Sequence, residues 1–193
     1  VLRIKPFLIV CLIAWIVLGI LEWSTSRIEI VDWAHHFGNA TSDFFFRFYT
    51  HIGEIPMILG SLVAIYFYRK PWFKYALLAI VINTIIVQAL KFGISAPRPY
   101  WELGDRFREI EGVHVLRSLS FPSGHSAAAI LSCGIFASLV NKPWQQILLA
   151  LAALLVGYSR IYLGLHYSLD VWVGISIGLA NLILFLYLTQ SEN

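Results

Sequence analysis

The chain has 193 residues, 59% of them apolar and only 13% charged, with a net charge of +3 and a mean hydropathy of +0.74. A soluble domain runs at about 45–50% apolar and about 25% charged, and a water-soluble core of this size cannot hide so much apolar surface. Two Cys, no glycine period and few polar tracts exclude disulfide-scaffold, collagen-like and disordered chains, and the absence of any Lys/Arg stripe argues against nucleic-acid binding. Cys11 and Cys133 fall inside apolar runs and read as small buried hydrophobes.

In chain order, apolar segments occupy 6–21, 52–68, 72–90, 123–140, 144–163 and 169–188. Each approaches the length that a helix rising ~1.5 Å per residue needs to cross a ~30 Å hydrocarbon layer. Backbone groups in lipid must be satisfied within their own segment, so helices are the expected form. The reading is an all-α, six-transmembrane-helix bundle forming one integral membrane domain over 1–193. Arg3 and Lys5 ahead of the first segment also fit a signal peptide, but Leu21-Glu22-Trp23 offers no small-x-small cleavage site, so a retained span is favoured. Residues 22–51 mix Val31, Trp33, Phe37, Phe44, Phe45, Phe48 and Tyr49 with Asp32, His35, His36, Asp43 and Arg47. That mixture predicts one or two short amphipathic helices at the membrane face of the first extracytoplasmic loop.

Six spans place both termini on one side. Arg3, Lys5, Arg69, Lys70, Lys74 and Lys142 crowd the short connections there against Glu192 alone, so the positive-inside rule makes that side cytoplasmic. The expectation is a multi-pass inner-membrane protein with cytoplasmic termini and long extracytoplasmic connections at 22–51 and 91–122. Trp23, Trp33, Trp72, Trp101, Trp144 and Trp172 lie at or just beyond predicted span ends, as an interfacial belt would, whereas Trp15 is mid-span.

Charged groups near a span are costly and ask for a reason. Three clusters qualify: Lys91 to Arg98-Pro99, Pro122-Ser123-Gly124-His125, and Ser159-Arg160 to His166 to Asp170. The alternation of spans puts all three on the extracytoplasmic side. Lys91, Arg98 and Arg160 would repel one another unless an anion sat among them, and Arg forks match phosphate oxygens bidentately. Ser123 and Gly124 open a helix, whose first-turn N–H groups would point at the same anion. His166 and Asp170 are one helical turn apart, so the carboxylate can accept one imidazole N–H and leave the other nitrogen as a nucleophile. His125 is then the second imidazole, placed to protonate a leaving group. The chemistry implied is phosphoryl transfer with cationic side chains in place of a metal, and no cofactor is expected.

These clusters resemble the three signatures of the type 2 phosphatidic acid phosphatase family: Lys, six residues, Arg-Pro; Pro-Ser-Gly-His; and Ser-Arg, five residues, His, three residues, Asp. Every fixed position and spacing is matched. The resemblance implies that His166 attacks phosphorus to form a phosphohistidine, supported by Asp170. It further implies that His125 protonates the departing group, that Lys91, Arg98, Ser123, Gly124 and Arg160 hold the phosphate oxygens, and that water completes the reaction without a metal. The family also includes soluble vanadium haloperoxidases, from which six predicted spans separate this chain.

The expected partner is a lipid phosphate or diphosphate held in the bilayer, of the undecaprenyl diphosphate, phosphatidylglycerol phosphate or phosphatidic acid type. Alternatives within the family are a lipid A 1-phosphatase and a lipid phosphotransferase. A six-span anion transporter could use the same cations but has no need of His125, His166 and Asp170 in this arrangement. His35, His36, His51 and Glu54 share the first long connection without a tight ligand spacing, so zinc is disfavoured there. His114 lies in the mixed-charge 100–120 stretch, which reads as a solvated loop bordering the site.

Overall fold

The computed structural model describes residues 4–192, and every regular element among them is helical. The helices are α1 (Lys5–Ser24), α2 (Arg27–His36), α3 (Ala40–Tyr49), α4 (Ile55–Tyr68), α5 (Phe73–Ile94), α6 (Pro99–Leu103), α7 (Gly124–Ala137), α8 (Pro143–Tyr162) and α9 (Ser168–Leu188). Local chemistry sets many of their ends. Proline stands in the first turn of α1, α4, α6 and α8, where its missing N–H costs nothing. α5 stops at Ser95, whose φ of 49° is a left-handed cap. The carboxylate of Asp170 accepts the Tyr167 N–H at 3.0 Å and so closes the start of α9.

α7 is the centre of the bundle, packed against α4, α5, α8 and α9. Its approach to α9 is very close: a Cβ added at Gly174 would stand 2.5 Å from the Ser123 carbonyl oxygen, so only glycine lets α9 lie against the turn that opens α7. α1 packs outside α8 and α9. The mid-span Trp15 belongs to this contact; it stacks on Trp172 at 4.8 Å and donates to the Ser176 hydroxyl at 2.8 Å. Trp72 is also buried, edge-on to Phe185, so the tryptophan belt is narrower than the sequence suggests, with Trp23, Trp33, Trp101 and Trp144 exposed. Ile9, Ile13, Val17 and Ile20 on α1, with Leu59, Val63 and Phe67 on α4, form the exposed apolar surface that a bilayer covers.

Four helices, α1, α5, α8 and α9, are long and apolar enough to cross a membrane among the described residues. A fifth span arises if α3 with its following turn and α4, bent by 45°, count as one. The predicted segments 52–68 and 123–140 shorten to the 14-residue α4 and α7, which reach about 21 Å each at the helical rise. α4 cannot begin earlier because Glu54 is extended and Pro56 follows it. α7 ends where the Ser138 hydroxyl bonds back to the Ile135 carbonyl, ahead of Pro143.

Glu192 pairs with Lys74 at 2.9 Å and accepts from the Tyr75 hydroxyl, so the end of the chain and the α4–α5 connection share one end of the bundle. Arg3, counted above for sidedness, lies outside the described residues. The opposite end carries α2, α3, α6 and the 104–123 segment, and two short helices do occupy the first long connection. α2 is more than a surface helix, since it buries Val31, Ala34 and His35.

The 100–120 stretch departs from the solvated loop expected of its charges. Arg108 forks onto Asp43 at 3.1 and 3.2 Å, and its Nε donates to the His35 carbonyl at 2.6 Å. Arg106 pairs with Asp32, and Trp101 donates to the Arg117 carbonyl. Most of the stretch is exposed, and Arg106 and Arg108 strap it across the end of the bundle.

Candidate active site

Three helix ends meet beneath this strap. Lys91 comes from the last turn of α5, His125 from the first turn of α7, and Arg160 from the last turn of α8, with His166 in the turn before α9. A cavity of about 490 Å³ is lined by Lys91, Arg98, Gly124, His125, Arg160 and His166. Six of the eight residues singled out from sequence thus share one space.

The basic side chains are held by backbone oxygens and a hydroxyl rather than by carboxylates. Lys91 Nζ donates to the Leu119 carbonyl at 2.6 Å. Arg98 donates through Nε to Ser118 at 3.1 Å and through Nη1 to Leu165 at 2.8 Å, both carbonyls. Arg160 Nη1 donates to Thr50 Oγ1 at 2.8 Å, while its buried Nε has no partner. A buried donor left open beside a cavity asks for an acceptor.

His166 is 1% exposed, with Nδ1 3.3 Å from Asp170 Oδ2. That same oxygen accepts from Ser120 Oγ at 2.5 Å and from the Tyr167 N–H. Burial first, and then the facing Arg160, Arg98 and Lys91, hold the His166 pKa well below the usual imidazole value, so the ring is neutral at pH 7. Asp170 itself stands behind His166 and does not line the cavity.

Ser123 is not on the cavity lining. It is fully buried, and its hydroxyl bonds to Ser126 Oγ at 2.8 Å and caps α7 by accepting the Ser126 N–H. Gly124, the next residue, is the one on the cavity wall.

Several residues here were not singled out from sequence. Ser120 backs Asp170, and Leu119 beside it takes φ 61°, a left-handed conformation that branched side chains rarely adopt. That strain aims the Leu119 carbonyl at Lys91 and the Ser120 hydroxyl at Asp170, which is where stored strain is usually found. Glu54 was weighed only as a zinc ligand, yet its Oε1 lies 2.9 Å from His125 Nε2. Its position at the mouth of an apolar span was the available signal. Asn83, Thr84 and Gln88 continue the cavity down α5, beside the apolar Ile55, Ile58 and Val87.

His35, His36, His51 and Glu54 do not gather together, and no group of three or more His, Cys, Asp or Glu able to hold a metal forms among the described residues. His35 instead uses both ring nitrogens on backbone: Nδ1 lies 2.8 Å from the Tyr162 carbonyl, and Nε2 accepts the Arg108 N–H at 2.8 Å. His114 is exposed and reaches the cavity rim.

Residues 72–193 match the PAP2 superfamily. The chain is 34% identical over 145 residues to phosphatidylglycerophosphatase B of Bacillus subtilis, covering 67% of this chain and 66% of that protein. It is 33% identical over 106 residues to undecaprenyl-diphosphatase of Sulfolobus acidocaldarius, covering 52% and 47%. These alignments span just under two thirds and about half of the two relatives' lengths. The fold matches the crystal structure of Aquifex aeolicus LpxE with a TM-score of 0.70 and 31% identity, over 82% of this chain and 93% of that one. It matches a transmembrane PAP2-type phosphatidylglycerolphosphate phosphatase from Bacillus subtilis equally well, with a TM-score of 0.70 at 25% identity over 100% and 98%. With the motifs, the helical membrane fold and the match over 72–193 in agreement, the chain belongs to the PAP2 superfamily.

Proposed function

We propose that this protein removes a phosphate from a membrane lipid phosphate or diphosphate through a phosphohistidine on His166. One observation carries the reading: a buried neutral imidazole, backed by Asp170, shares a cavity with Lys91, Arg98 and Arg160. Neutral His166 attacks phosphorus through Nε2, while Asp170 takes up the positive charge that develops on the ring. The bond from phosphorus to the leaving oxygen breaks, and that oxygen takes a proton from His125. The three basic side chains and the Gly124 N–H bind the phosphoryl oxygens, supplying charge that a metal supplies in other phosphatases. Water, activated by the now neutral His125, then releases inorganic phosphate from His166.

The names of the relatives and the apolar lower wall of the cavity support a substrate whose tail stays in the bilayer, of the phosphatidylglycerol phosphate, undecaprenyl diphosphate or phosphatidic acid type. The basic residues at the other end of the bundle support an extracytoplasmic site with cytoplasmic termini in the inner membrane. Phosphate release should be measured from detergent-purified protein on those three lipids, with a chelator present. Release that survives chelation, with an acid-labile phosphoenzyme lost in His166→Ala, is the expected result. Full activity in His166→Ala overturns the nucleophile, and labelling of a 109–111 cysteine only from the cytoplasm overturns the orientation.

A further inference from the structure

The elbow between α3 and α4 brings Gly53 and Glu54 to the wall of the cavity. Thr50 holds Arg160 at 2.8 Å, and four residues later Glu54 holds His125 at 2.9 Å. The second carboxylate oxygen of Glu54 is 2.9 Å from Nδ1 of the exposed His51, so both oxygens are committed to imidazoles. Gly53 makes the approach feasible: a Cβ there would stand 2.8 Å from the His125 carbonyl oxygen. The elbow is therefore seated against the first turn of α7 by backbone contact, and the Glu54 carboxylate is aimed at one nitrogen of one ring.

We infer that Glu54 is the positioning residue of His125. It fixes the ring with Nε2–H toward the carboxylate and Nδ1 toward the leaving oxygen, and it stabilises the imidazolium that must be present when phosphorus is attacked. The inference rests on the phosphohistidine reading above. In the first step the His166 Nε2–P bond forms, the P–O bond breaks, and its electron pair stays on the leaving oxygen. The proton on His125 Nδ1 passes to that oxygen, leaving His125 neutral with Nε2–H still on Glu54. In the second step water attacks phosphorus and gives a proton to His125 Nδ1, the Nε2–P bond breaks with its electron pair returning to His166, and inorganic phosphate leaves. No proton crosses to Glu54, which holds charge and geometry only.

The test uses leaving groups of different basicity, because an aliphatic alkoxide needs a proton in the transition state and p-nitrophenolate does not. The probes are dioctanoyl phosphatidic acid and p-nitrophenyl phosphate, compared by kcat/KM, which stops at phosphohistidine formation. Glu54→Gln should lower the ratio of kcat/KM on the lipid to that on the aryl phosphate by at least about tenfold. His125→Ala should lower it further, and Glu54→Gln added to His125→Ala should change it by less than about twofold, as for residues acting as one unit. An equal loss on both substrates in Glu54→Gln, with His125→Ala still discriminating, overturns the role of Glu54 and leaves the acid assignment standing. A His125→Ala variant that does not discriminate overturns the acid assignment, and the inference with it.

Discussion

Two imidazoles line the same cavity, each backed by a carboxylate, and the two pairs are built in opposite ways. His166 and Asp170 are four positions apart, with side chains 2% and 5% exposed. His125 and Glu54 are 71 positions apart, with side chains 24% and 39% exposed. The first pair is an interior structure in which Asp170 also anchors Ser120 and the start of α9. The second is a meeting of two helix starts at the water-facing rim, and its carboxylate has a spare oxygen for His51. The same charge–dipole interaction is stronger where water is excluded. Loss of the buried carboxylate should therefore damage fold and chemistry together, and loss of the rim carboxylate should damage chemistry alone.

Substitutions can break that contrast, beginning with the proposed nucleophile. His166→Ala should lower kcat by about 10⁴-fold or more with no phosphoenzyme formed, and a loss below tenfold would remove the buried pair from the chemistry. Asp170→Asn should cost about 10²–10⁴-fold in kcat, by analogy with other carboxylates that fix a catalytic imidazole. Asp170→Ala should also cost about 1–3 kcal/mol of stability, because Ser120 and the Tyr167 N–H lose their acceptor. Glu54→Gln should leave the melting temperature within about 2 °C of the parent, and a drop matching that of Asp170→Ala would erase the distinction between the pairs.

His35 is the second buried histidine among the described residues, and its ring nitrogens bond to backbone. Burial lowers its pKa, so the folded state favours the neutral ring, while the unfolded chain protonates near 6.5. Its contribution is complete above that pH and is lost as pH falls below it. The decrease in Tm between pH 7 and pH 5 should shrink in His35→Phe, with kcat at pH 7 within about threefold of the parent; an unchanged decrease would show that this ring does not titrate on unfolding. The smallest effect belongs to His51→Ala. It touches only the outer oxygen of Glu54 and should lower kcat on the lipid by about two- to fivefold, well short of Glu54→Gln.

Much of the site was legible because its chemistry is local. His166 to Asp170 is one helical turn, and Lys91 to Arg98-Pro99 and Ser123-Gly124-His125 are short runs at span ends whose sidedness follows from counting. What escaped depends on distant contacts. The 100–120 stretch carries charges suited to solvent, and nothing in it shows that Arg108 will find Asp43 and His35. Span ends at 52–54 and 138–140 were overextended because hydropathy continues where backbone geometry turns.

By itself, the sequence determined that this chain lives in a bilayer, that its helices lie close to the apolar segments, and that three basic and two imidazole groups gather at one end. Apolar transfer and helical period act within a segment, so composition and spacing suffice to reveal them. Only the tertiary structure decided which carboxylate serves His125. Glu54 reaches His125 because the elbow at Thr50–Gly53 is pressed against α7, and that approach depends on packing among α3, α4 and α7 that no stretch of sequence contains.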